Sequence, residues 1–455
     1  MEPAPRAVPS LRVLLALAWP LVVSRSSQVV VGICDAAMVA HLGEEALAAT
    51  TGGATNTFAL FILPMGVVFI VSSFSAQLFA RGDLAGARRY AFYGLAVAAA
   101  TQVVGVAGAP LAGAVLARLD YAPDVRGAMA EYLAVRIWSG GAAVGLEALG
   151  NYYGGLGNTR LPMRAGVASM VMNVLGNWIL IDGHWGAPAM GVRGAALASA
   201  LSTGAAFTGL LAVFLVEGRR AGGVVPRLSG RELVRMLRFG IPSGLNWFFE
   251  FLAYAFFVNV VVAGLGTTPV AALLTVVQVN SVSFMPAFGL ASAGAILVGQ
   301  AIGAGARDDV PRIVRLTFTA TATWQGAVGL AYLLVPDRIF GPFAGDPLAG
   351  AALLETGRRM LVLSAAWQLF DAAAATLAEA LRAAGDTVFT MWTRIALAWL
   401  VFAPGSWISV RRLGGGEMAA AAWLVAYLGL LALLLWLRFR RGAWRRFELV
   451  PAPLD

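Results

Sequence analysis

Lysine is absent from this 455-residue chain, and its 33 basic residues are all arginine. That absence excludes a P-loop ATPase, whose lysine grips nucleotide phosphates, and a pyridoxal enzyme that needs a lysine amine. A single cysteine, Cys34, leaves no internal disulfide framework and no cysteine-rich metal site. The two histidines, His41 and His184, are too few and too far apart for a histidine metal cluster. Charged residues are scarce, at 13% where a soluble domain carries about a quarter. Enzyme signatures are lacking as well. No GxGxxG follows a strand, no HExxH or GxSxG occurs, and GGGE at 414–417 lacks the setting of an intramembrane aspartyl protease. The chain therefore reads as a protein without enzymatic chemistry or a resident cofactor, with a membrane-embedded hydrolase as the remote alternative.

What is present is apolar: 59% of residues are hydrophobic. Twelve stretches of roughly 20 or more mostly apolar residues can each cross a bilayer as a helix. They lie near 11–41, 46–79, 90–117, 127–150, 161–181, 190–216, 232–263, 268–303, 312–335, 351–381, 388–410 and 417–439. The short alternating segments of a membrane barrel are missing. The expected fold is an all-α membrane protein of twelve transmembrane helices. Net charge +9 could indicate a nucleic-acid partner, but the arginines flank the apolar spans. Inner segments hold nearly three arginines for each one outside if both termini are cytoplasmic, which is the orientation that the positive-inside rule selects. A cleaved signal peptide is not expected, because the first apolar run is too long and ends at Asp35.

The spans repeat. Pro20 and Pro242 lie in the first span of each half, and Pro64 and Pro286 in the second; both pairs are 222 residues apart. Gln77 and Gln300, like Gly82 and Gly305, are 223 apart at the exits of the second spans. Six spans per half place the halves in the membrane in the same sense, as two pseudo-symmetric lobes, 1–222 and 223–455, around a substrate site. One chain holding both lobes predicts a monomer.

A carboxylate at the bilayer centre costs roughly 2.5 to 3.5 kcal/mol on insertion scales, so intramembrane acids are candidates for function. Glu250 lies near the middle of span seven and Asp371 near the middle of span ten. Two such acids can share a cation such as Na⁺, or hold a proton; alternatively each pairs with a buried arginine, with Arg25, Arg136 and Arg394 available. Arg394, close to the start of span eleven, is placed to snorkel. Asp35 sits late in span one. Gln28 is the repeat counterpart of Glu250, so the lobes are not chemically equivalent. Asn173 and Asn177, four residues apart, share a face of span five, either as helix glue or as cavity lining. Gln278, Trp247 and Phe370 complete the candidate cavity residues. Aromatics beside carboxylates suit flat organic cations. Glu147 and Glu379, near inner ends of spans four and ten, fit paired or solvated end charges.

These residues resemble the multidrug and toxic compound extrusion (MATE) family, in its NorM-like bacterial branch, over almost the whole chain. The matching stretches are VVVGICDAAMVAHLG around Asp35, NVLGNWILIDG followed by GAPAMGVRGAALASAL, FFEFLAYAFF around Glu250, FMPAFGLASAGAILVGQAIGAG, and QLFDAAAATLAEALRAAGDT around Asp371. Arg25 and Glu379 depart from the family pattern, each standing where a small residue is usual. The resemblance implies a secondary antiporter in the bacterial plasma membrane. It would expel small cationic, amphipathic organic compounds in exchange for inward Na⁺ or H⁺, with Glu250, Asp371 and Asp35 as coupling acids. The alternative is a flippase for lipid-linked saccharides of the wider superfamily, which would favour an arginine-lined cavity.

Overall fold

The computed structural model describes residues 10–118, 122–220, 227–343 and 350–451. No strand occurs among them, and each of the twelve expected spans is a helical rod. The rods are α1 (Leu11–Leu42), α2 (Glu44–Ala80), α3 (Leu84–Leu116), α4 (Pro123–Gly155), α5 (Arg160–Asp182), α6 (Gly191–Arg220), α7 (Gly230–Leu265), α8 (Thr267–Gly303), α9 (Val310–Leu334), α10 (Ala351–Ala384), α11 (Thr387–Arg412) and α12 (Gly416–Arg440). Ten of them are long and apolar enough to cross a membrane by themselves. The other two are α4, broken by a 3₁₀ turn at Ile137–Ser139, and the threonine-rich α9. Large apolar side chains cover much of the outer surface, Val104 at 71% and Leu400 at 75% exposure among them, as a lipid-facing surface requires.

The repeat seen in the sequence is also a repeat of backbone geometry. Gly82 closes α2 with φ at 82°, and Gly305 closes α8 with φ at 79°. In each case the following amide returns to a carbonyl five residues back, Asp83 to Leu78 and Ala306 to Ala301. Only a residue without a Cβ adopts that left-handed cap without strain, which explains why glycine recurs there.

By contacts, the chain divides into two compact units. One runs Val23–Gly244; the other joins the chain as far as Val22 to Leu245 and beyond. The division therefore falls inside α1 and α7, just past Pro20 and Pro242, and not in the loop near 222. The reason is visible in the packing. Within the first unit, the opening half of α7 lies against α2 so closely that a Cβ on Gly244 would stand 2.4 Å from the Leu63 carbonyl oxygen. Arg89 and Tyr93 of α3 hold Glu232 at 2.9 and 2.8 Å, securing the same half-rod. Within the second unit, the opening half of α1 buries Leu14 and Ala18 in the core. A Cβ on Gly289 of α8 would meet Val22 Cγ2 at 2.6 Å. Proline removes one helical hydrogen bond, so each rod can bend where it passes from one unit to the other.

Among the described residues, two rods contain π-helical segments. In α7 the segment Phe257–Val262 is π-helical, as are Leu397–Phe402 and Ile408–Arg412 in α11. The first two meet through Phe257 and Phe402, whose rings lie 4.9 Å apart. Extra residues of this kind recur at functional sites, because they rotate the side chains that follow. In α1 and α5, the counterparts of α7 and α11, the α-helix is continuous from Leu11 to Val39 and from Arg160 to Asp182.

Candidate functional site

The two units present acids in different surroundings. In the unit Val23–Gly244, Asp35 of α1 is 7% exposed. Its Oδ1 accepts a hydrogen bond from Asn177 Nδ2 of α5, and its Oδ2 accepts one from Ser199 Oγ of α6 at 3.1 Å. Asn173 Nδ2 donates to Ser199 Oγ at 2.9 Å. The periodicity of α5 sets this up, since positions 173 and 177 lie one above the other on one helix face. Asn177 thus serves the carboxylate directly, and Asn173 serves it through Ser199. Asn177 Oδ1 is buried with no partner among the described residues. Arg136 lies within electrostatic reach of Asp35 but bonds Ser139 Oγ instead, at 3.2 Å.

In the other unit, Asp371 of α10 lines a cavity of about 260 Å³. Tyr254, Phe284 and Trp367 supply aromatic walls, with Asn280, Gln325 and Gln368 among the polar ones. Gln325 Nε2 of α9 donates to Asp371 Oδ2 at 2.8 Å. Behind it runs a chain of neutral hydrogen bonds. Ser283 Oγ of α8 reaches Gln325 Oε1 at 3.3 Å and Gln368 Oε1 at 3.2 Å, and Gln368 Nε2 donates to Asn280 Oδ1. Buried amides of this kind need partners on every side, and the network fixes the orientation of α8, α9 and α10 around the acid. A larger groove, about 660 Å³, opens between α9 and α10; it holds no carboxylate, and Arg358 and Arg359 on it are paired with Asp337 and Glu355.

Glu250 is not left open beside Asp371. Arg394 of α11 donates to Glu250 Oε2, and both side chains are partly buried. Of the arginines available for pairing, this one is engaged, so Arg394 does not snorkel to the membrane surface. Glu250 and Arg394 each lie within electrostatic reach of Asp371, so the three charges form one cluster. Tyr427 of α12 adjoins the pair, and its hydroxyl is buried without a partner among the described residues. No group of three or more histidine, cysteine, aspartate or glutamate side chains gathers to hold a metal among the described residues.

Several expected cavity residues stand elsewhere. Gln28, Gln278 and Phe370 are exposed, and Trp247 packs edge-on against Phe288 at 5.8 Å. In α8 the cavity-lining amide is Asn280, two positions beyond Gln278, and in α10 the cavity-lining aromatic is Trp367, three positions before Phe370. Helix azimuth accounts for both offsets, because two or three positions turn a side chain by about 200° or 300°. Ser199, Gln325, Ser283 and Gln368 carried no sequence signal beyond being polar within apolar spans. Other charged groups of the spans and their ends stand in ion pairs. Arg25 grips Glu147 with two bonds, 3.2 and 2.6 Å, and its guanidinium lies 5.1 Å from the Phe69 ring centre. Glu379 pairs with Arg382 one turn on, and Asp386 with Arg438 at 2.7 Å.

The family model described as MatE matches residues 20–179 and 242–408. The chain is 29% identical to a probable multidrug resistance protein NorM from Pseudomonas putida, over 92% of this chain and 91% of that one. A protein of the same description from Thermotoga maritima is 27% identical, over 96% and 94%. The fold is shared with a multidrug resistance MATE family transporter of the MOP superfamily, solved in an outward-facing conformation. That superposition has a TM-score of 0.85 at 20% identity and covers 96% of this chain and 97% of that one.

Proposed function

Because this chain belongs to the MATE family, in its NorM-like branch, and is a multi-pass membrane transporter and not an enzyme, we propose that it exports cationic, amphipathic organic compounds in exchange for inward Na⁺ or H⁺. The observation that carries the reading is Asp371, a carboxylate on the wall of an aromatic cavity. Such a cavity attracts a flat organic cation by charge and by the ring faces. The coupling ion competes for the same negative charge, at Asp371 or at Asp35, so loading with one releases the other. A ligand drives the cycle only by binding one conformation better than the other. The two prolines where α1 and α7 pass between units are the places for the rocking motion to bend. Arginine placement supports cytoplasmic termini, and bacterial relatives support the plasma membrane. Both lobes in one chain support a monomer. The lipid-saccharide flippase is disfavoured, since no arginine is among the described residues lining the cavity at Asp371, and the nearby Arg394 is engaged by Glu250.

The test is export of ethidium from proteoliposomes under an imposed Na⁺ gradient and, separately, a pH gradient. One of them drives export in the wild-type protein, and Asp371→Asn and Asp35→Asn abolish it while still inserting. Undiminished export by both variants defeats the reading.

A further inference from the structure

Resting on the reading of Glu250 and Asp371 as a cation site, we infer that Arg394 is a built-in counter-cation that occupies Glu250, so that this site takes one positive charge, at Asp371, and rejects sodium. The argument begins with charge. Glu250, Asp371 and Arg394 together leave one net negative charge, matched by one monovalent organic cation or one proton. It continues with geometry. Arg394 donates to Glu250 Oε2, while Asp371 is held by the neutral Gln325 and faces the cavity. A sodium ion needs several oxygens at once, as hard cations do, and here one of the two carboxylates is already engaged. To reach it, sodium must displace a cation tethered to the same protein, which competes at a far higher effective concentration than a free ion. A planar guanidinium also binds a carboxylate directionally and cannot give up its charge.

The comparison with the other unit sharpens the point. Asn173 of α5 is offset from Arg394 by nearly the repeat spacing, and α5 is the counterpart of α11. There the acid of α1 is met by an amide and a hydroxyl, which stabilise a carboxylate without cancelling its charge. In the α7–α11–α12 corner a full positive charge stands instead. Tyr427, its hydroxyl unpartnered and 9% exposed as a residue, is the polar group at hand if the guanidinium leaves Glu250.

The experiment uses the full-length protein in detergent, in an Asp35→Asn background so that the other intramembrane acid contributes no sodium response. Thermal unfolding is followed as NaCl replaces KCl from 1 to 100 mM at constant ionic strength, a titration in which a selective ligand raises the midpoint by mass action. With Arg394 present, the midpoint stays constant. Arg394→Met frees Glu250 and makes the midpoint rise by several degrees, and adding Glu250→Gln to it removes the rise. A sodium-dependent rise with Arg394 intact overturns the proposal, as does an unresponsive Arg394→Met protein. Where Arg394→Met does not fold, ethidium bound with Arg394 intact decides: displacement by sodium no stronger than by potassium is expected, and stronger displacement by sodium overturns it. Failure of ethidium to bind at all counts against the export reading, and the unfolding midpoint with Arg394 intact still decides the role of Arg394.

Discussion

Asp35, buried, and Glu250, partly buried, are both acids in apolar helices, on rods that are repeat counterparts, yet they are kept by opposite means. Asp35 is surrounded by neutral donors from Asn177 and Ser199. Glu250 is neutralised by Arg394, 144 residues away in sequence. Neutral donors stabilise the charge and leave it available to a proton or cation. A guanidinium satisfies the charge and removes it from competition. The free carboxylate of the second unit is therefore Asp371, on α10, three rods beyond α7, where strict repetition of Asp35 would put it. Duplicated lobes thus hold one available acid each, reached by different routes.

The largest effect expected along this divide is on Asp371. Asp371→Asn should weaken ethidium binding about 100-fold, or ~3 kcal/mol, measured by fluorescence titration; unchanged affinity would remove it from the cavity's role. Glu250→Gln should strand the Arg394 guanidinium. Removing one partner of a fully buried pair costs about 3–5 kcal/mol, and Glu250, with its side chain 36% exposed, should lose less, about 1–3 kcal/mol. Urea unfolding checks this, and a neutral result would mean the pair contributes nothing. Ser199→Ala removes one hydrogen bond to Asp35 and should cost ~1 kcal/mol by the same measurement. Asp35→Asn should have the smallest effect on stability, under ~1 kcal/mol, because its new amide keeps an oxygen for the same donors while Asn177 Oδ1 offers an unused acceptor. Export stops all the same. If Asp35→Asn proved more destabilising than Glu250→Gln, the contrast between neutral and charged partners would fail.

Much of this was legible without coordinates. Spans, caps and the duplication are local or periodic properties: hydropathy sums over neighbours, and Gly82 and Gly305 mark the same turn twice. Asp35, Glu250 and Asp371 stood out because charges are rare in such helices. The cavity lining was legible only to within two or three positions, as Gln278 against Asn280 and Phe370 against Trp367 illustrate. A helix in a lipid environment is apolar all round, so hydropathy does not tell which side faces a cavity.

By itself, then, the sequence determined the twelve rods, their two-fold repetition and the identity of the buried acids. Only the tertiary structure decided that α1 and α7 divide between units just past Pro20 and Pro242, and that Glu250 meets a guanidinium while Asp35 meets an amide and a hydroxyl. The reason is one of range. Burying a charge is costly wherever it occurs along a helix, so its presence can be read locally. Its partner is fixed by how separate helices rotate and cross, and that depends on close contacts between residues far apart in the chain.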